Sequence, residues 1–125
     1  MPDATERVAT QVVDAAFTVH KTRGPGLLES VYELCLEHEL LRREVPAEHQ
    51  VTLPVVYRDL RVENGFRIDM VVAKCVVVEL KAVESLQPIH QAQLLTYLRL
   101  SGYRLGFLLN FNVGGFKQGI RRLIL

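Results

Sequence analysis

The stretch Phe66–Val83, FRIDMVVAKCVVVELKAV, limits the possible folds more than any other part of the chain, because it sets three charged residues into an otherwise apolar run. Valine and other β-branched residues dominate it, which fits a pair of strands buried on both faces. In such strands a carboxylate is costly unless a cation or hydrogen-bond donors accompany it. The three residues are Asp69, Glu79 and Lys81. Glu79 and Lys81 are two apart and so point to the same side of a strand. An antiparallel hairpin of Met70–Val72 with Val76–Val78, closed by a three-residue loop at Ala73–Cys75, places Asp69 opposite Glu79 and on that same side. A two-residue loop would pair Asp69 with Val78 and scatter the group. Two carboxylates and an ammonium at a sheet edge suit a hard divalent cation, Mg²⁺ or Mn²⁺, with the lysine placed to orient a water or to stabilise charge on a phosphate. The plainer alternative is a salt-bridged strand end in which Asp69 is the partner that neutralises buried charge.

The rest of the chain supplies a frame for this hairpin. From Asp3 to Thr22, Val8, Val12, Ala15, Ala16 and Val19 recur at helical spacing and predict an amphipathic helix. Gly24-Pro25-Gly26 stops it, and a second helix is expected from near Leu27 to about Glu44, with Leu28, Val31, Leu34, Cys35 and Leu41 as its core stripe. Pro46 ends that helix, and the alternation of Val51, Leu53, Val55 and Tyr57 predicts a strand in which Pro54 marks an edge or a bulge. Asp59 begins a turn, and Glu63-Asn64-Gly65 is a second irregularity before the central hairpin. Pro88 opens a third helix that runs to Ser101 and is closed by Gly102, with Leu94, Leu95 and Leu98 inward. Leu105, Phe107, Leu109 and Phe111 alternate as a further strand, whereas Ile120–Leu125 reads equally as helix or strand. The order is α-α-β-β-β-α-β with a short tail, a mixed sheet carrying helices, with its charged residues at the ends of central strands.

At 125 residues the expectation is a single domain, 1–125, and 49% hydrophobic content places it among globular chains. The formal net charge of +1 means that an anionic partner must be drawn by a local patch rather than by the overall field. Cys35 and Cys75 are far apart in apolar surroundings, which predicts buried thiols in a reducing compartment, with neither disulfide nor zinc. No apolar run approaches the ~20 residues of a membrane span, so a soluble, cytoplasmic protein is expected. His20, His38, His49 and His90 share no ligand spacing and read as caps, surface groups or packing residues.

Two helices add candidates. Glu29, Tyr32 and Glu33 share a face of the second helix, although a glutamate in a first turn also serves simply to complement the helix dipole. Gln93 and Tyr97 are four apart on the third helix and aim the same way, an arrangement suited to holding a water or a phosphate.

With these residues in view, Gly26-Leu27-Leu28-Glu29-Ser30-Val31-Tyr32 resembles the motif of the GxxExxY proteins. Asp69 followed by Glu79-Leu80-Lys81 and by Gln93-x-x-x-Tyr97 resembles the PD-(D/E)XK nuclease superfamily. The resemblance spans nearly the whole chain, from the first helix through Asn110-Phe111-Asn112. It implies a restriction-endonuclease-like α/β core of α-β-β-β-α-β order, a mixed central sheet flanked by helices. It further implies a divalent metal on Asp69 and Glu79, a further carboxylate from Glu29, assistance to the attacking water by Lys81, and a Gln93/Tyr97 element like that of RecB-like nucleases. Ile68 stands where the superfamily often has proline. The activity so implied is Mg²⁺-dependent (or Mn²⁺-dependent) hydrolysis of DNA, or of RNA, by a metal-activated water, as an endo- or exonuclease. The small size of the chain suggests a homodimer presenting two sites. The alternative is a non-catalytic binding or assembly module that keeps the nuclease fold.

Overall fold

A computed structural model describes all 125 residues. Three helices and five strands follow in the order α1 (Asp3–Arg23), α2 (Glu29–Arg42), β1 (Ala47–Tyr57), β2 (Leu60–Val72), β3 (Val76–Lys81), α3 (Pro88–Ser101), β4 (Leu105–Asn110) and β5 (Ile120–Ile124). A single 3-10 turn, Phe116–Gly119, precedes β5. The strands form one sheet in the order β1-β2-β3-β4-β5. Only β3 and β4 are parallel, and α3 makes the crossover between them that parallel neighbours require. This is the mixed α/β, restriction-endonuclease-like arrangement that the order of elements implies. The terminal stretch is a strand, β5, antiparallel to β4.

The sheet is covered on both faces. On one lie α1 and α2, whose Val12, Ala15, Ala16, Tyr32, Leu36 and Leu40 pack against Met70, Val72, Val78, Leu80, Leu105 and Leu109. On the other, Leu94 and Leu98 of α3 pack against Phe66, Ile68, Val71, Val77 and Leu108. Ile68 and Met70 are two apart on β2, yet they belong to opposite faces. The strand therefore turns over at Asp69.

Three expectations are corrected. The leucine stripe of α2 is not its core face: Leu28, Leu34 and Leu41 are exposed by 73%, 58% and 67%, Val31 is exposed too, and Cys35 is only half-buried. The helix rests instead on Tyr32, Leu36 and Leu40, because an aromatic ring and two leucines at four-residue spacing make the tighter fit to the sheet. That rotation turns Glu29 and Glu33 toward the sheet edge. A second correction concerns length, for β1 starts at Ala47 and β2 at Leu60, so the first hairpin is far longer than the six-residue β3. The Cys35 and Cys75 thiols are free and half-buried rather than buried.

Along the β1–β2 ladder, Leu53 pairs with Phe66 but Val55 pairs with Val62, so the irregularity expected at Glu63-Asn64-Gly65 is a bulge in β2. Asn64 adopts a positive φ of 53° there. Gly65 lies so close to Val55 that a Cβ would stand 2.6 Å from its side chain, so the bulge requires glycine. At the other end of β2, Ala73, Lys74 and Cys75 form the three-residue loop to β3, with Val72 paired to Val76.

Candidate active site

The site forms where β2 and β3 part. Backbone pairing between them runs through Val72↔Val76, Val71↔Val77 and Met70↔Val78. Beyond Met70 the carboxylates take over. The Asp69 N–H donates to Glu79 Oε1 at 2.9 Å, and the Leu80 N–H donates to Asp69 Oδ2 at 3.0 Å. Glu79 is 4% exposed and Asp69 is half-buried. Burial, and then the Asp69 charge, push the Glu79 carboxyl up to about 8, although the Asp69 amide and Lys81 pull it back. Two carboxylates this close, one of them buried, resist being charged together.

Glu29, Asp69, Glu79, Lys81, Gln93 and Tyr97 all line one cavity of about 480 Å³, together with Thr52, Asn64, Phe66 and Arg67. Glu29 stands at the exposed start of α2. Partial burial and the Asp69 charge raise its carboxyl pKa, and Lys81 and the Ala82 amide act against them. Its position is set by Tyr32, which is fully buried and stacked on Phe111 at 4.6 Å. The Tyr32 hydroxyl donates to the Gly24 carbonyl at 2.5 Å and accepts from the Leu27 N–H at 3.1 Å. The loop before α2 is thereby pinned, and Gly26 supplies the positive φ of 105° that it needs. Of the Gly26–Glu29–Tyr32 motif, only the glutamate faces the cavity.

Lys81 ends β3, half-buried, and takes part in none of the ion pairs of the chain, so it is not the salt-bridge partner of Asp69 or Glu79. The segment after it is held by Asn110, which is 1% exposed. Its Oδ1 accepts from the Val83 N–H at 3.1 Å, and its Nδ2 donates to the Val83 carbonyl at 2.9 Å. On α3, Gln93 Nε2 donates to the Tyr97 hydroxyl at 2.9 Å, and the Tyr97 ring stacks on Phe66 at 5.2 Å. Burial and then the Glu79 charge raise the Tyr97 pKa, so its hydroxyl keeps its proton. His90 does not reach the site as a ligand: its Nδ1 accepts from the Gln87 N–H at 2.9 Å and caps α3.

A second cavity of about 620 Å³ adjoins the first and shares Glu29, Arg67 and Asp69 with it. Here Glu33, 8% exposed, accepts from Gln50 Nε2 at 2.7 and 2.9 Å, and burial raises its carboxyl pKa. Reasoning from the sequence passed over Arg67, Thr52 and Asn64. Spacing gave no signal for Arg67, because β2 turns over at Asp69 and the two-residue period that would relate them is broken there.

The chemistry of these donors fits a hard divalent cation. Asp69 and Glu79 each keep one oxygen that is not engaged by a backbone amide, and two carboxylates with waters suffice for Mg²⁺. No three acidic, histidine or cysteine side chains come together as a ready metal-holding group. No helix is long and apolar enough to cross a membrane. A family model of the PD-(D/E)XK nuclease superfamily matches residues 6–123. No curated protein and no solved structure matches the chain.

Proposed function

The chain belongs to the PD-(D/E)XK nuclease superfamily, and from that premise we propose that it hydrolyses phosphodiester bonds of nucleic acid, DNA in the first place, with Mg²⁺ or Mn²⁺ as cofactor. Within the superfamily we assign it to the GxxExxY proteins on Gly26, Glu29 and Tyr32. The observation that carries the reading is the convergence of Glu29, Asp69, Glu79, Lys81, Gln93 and Tyr97 on one cavity at the fork of β2 and β3.

Asp69 and Glu79 would hold the cation through their free oxygens, and Glu29 would complete or orient its shell from α2. A bound divalent cation supplies a Lewis acid for the phosphoryl oxygen and lowers the pKa of water. The Lys81 ammonium, free of carboxylate partners, is available to the charge that develops on phosphorus. Gln93 and Tyr97, joined to each other and fixed by the Phe66 ring, present a preorganised polar pair on the wall opposite α2. The exposed Leu34 and Leu41, seven apart on α2, support a homodimer as the working form.

A second reading draws on the amide exchange itself. Because Asp69 and Glu79 already hold the two strands together, the charged group also makes sense in a non-catalytic binding or assembly module. Cleavage of single-stranded, duplex and branched DNA and of RNA in Mg²⁺, by wild type and by Asp69→Asn, separates the two. Activity in wild type alone supports hydrolysis. Calorimetric Mg²⁺ binding without cleavage of any substrate moves the assignment to the module.

A further inference from the structure

The two adjoining cavities present four carboxylates, Glu29, Glu33, Asp69 and Glu79, against one lysine and one arginine, Lys81 and Arg67. A polyanion enters such a groove only along its cations. Arg67 is exposed, lines both cavities, and takes part in none of the chain's ion pairs, although Asp69 lines the same two cavities. Its guanidinium fork is therefore uncommitted, and such a fork matches the oxygens of a phosphate two at a time. Thr52 lies directly across the β1–β2 ladder from it. The bulge brings Asn64, with its positive φ, onto the same wall of the first cavity. Bulges next to sites re-aim side chains, and an Asn held in the left-handed region beside a cavity is placed there by its surroundings.

We propose that Arg67, with Asn64 beside it, is a subsite for the phosphate of the nucleotide next to the bond being cut, and that the nucleic acid strand passes over Arg67 between the two cavities. Two strand residues advance by roughly 6.8 Å, a step of nucleotide size between Asp69 at the fork and Arg67. This assignment rests on the hydrolytic reading above for the bond being cut, but its binding part is measurable alone.

The test is fluorescence anisotropy of a labelled single-stranded DNA oligonucleotide with the full chain, in Ca²⁺ and over a series of salt concentrations. Arg67→Ala is expected to weaken binding about tenfold and to lower the slope of log affinity against log salt by about 0.7, the share of one phosphate contact on a single strand. Arg67→Lys restores the slope but only part of the affinity, because it keeps the charge and loses the fork. Asn64→Gly weakens binding while leaving Tm equal or higher, since glycine takes the positive φ without cost. Unchanged affinity and slope in Arg67→Ala, or no binding by wild type, overturns the subsite. Arg67-dependent binding without cleavage sinks the hydrolytic reading and keeps the subsite, whereas cleavage with Arg67-independent binding does the reverse.

Discussion

Asp69 and Glu79 trade backbone amides: the N–H of Asp69 donates to Glu79 Oε1 at 2.9 Å, while the Leu80 N–H, next to Glu79, donates to Asp69 Oδ2 at 3.0 Å. The exchange continues the ladder past Met70↔Val78, with side-chain oxygens in place of carbonyls. It leaves Oδ1 of Asp69 and Oε2 of Glu79 without a backbone amide partner. A pair of acids that stitches two strands together and still presents one oxygen each is preorganised for a cation.

The first prediction concerns pH without metal. The Glu79 carboxyl titrates near 8 in the folded chain against an ordinary 4.5, so the folded state holds a proton that the unfolded state has released between those values. The stabilising contribution is complete below about 4.5 and is lost as pH rises through 8. In EDTA, Tm of wild type should fall between pH 5.5 and 8.5, and Glu79→Gln, which keeps the acceptor without the charge, should flatten that fall. Parallel Tm curves for the two proteins would remove Glu79 as the cause.

Metal affinity should move the other way. Protons compete with the cation for Glu79, so calorimetric affinity for Mg²⁺ should rise with pH up to about 8 and then level off, with a proton released on binding. Glu79→Gln should bind weakly at every pH.

Lysine and glutamate should fail differently in catalysis. Lys81→Ala removes the ammonium and leaves both carboxylates, so cleavage should drop on the order of 10²–10³-fold with metal affinity little changed. Glu79→Gln should lose both. Equal cleavage in all three proteins would point to a contaminating nuclease.

Much of this arrangement was legible from spacing. The strict two-residue period of a strand makes Asp69 face Glu79 once the loop is three residues, and the four-residue spacing of Gln93 and Tyr97 suffices to bring them together. The face of α2 was not legible in the same way, because its apolar residues lie on two sides. Leu28, Val31, Leu34, Cys35 and Leu41 stand on one side and the fewer Tyr32, Leu36 and Leu40 on the other, and only the shape of the sheet chooses between the stripes. β5 carries Arg121 and Arg122 in a five-residue edge strand, so its state is decided by β4 rather than by its own pattern.

Tyr32→Phe tests whether the buried hydroxyl positions Glu29. The change strands the Gly24 carbonyl and the Leu27 N–H, which should cost about 1–3 kcal/mol in urea unfolding. Cleavage should fall further than the loss of folded protein accounts for. An unchanged rate per folded molecule would make Tyr32 purely structural.

The long β1–β2 hairpin gives the cavity two walls that are built differently. Glu79 and Lys81 stand on β3, which has strands on both sides and helices on both faces, whereas Arg67 and Asn64 stand on a stretch of β2 beyond its last pair with β3. Past Phe66 the hairpin is a two-stranded ribbon with Val56, Tyr57, Leu60 and Val62 exposed, the least self-sufficient kind of sheet. The acids and Arg67 thus stand where helices back the sheet, and only the ribbon past the bulge rests on β1–β2 pairing alone.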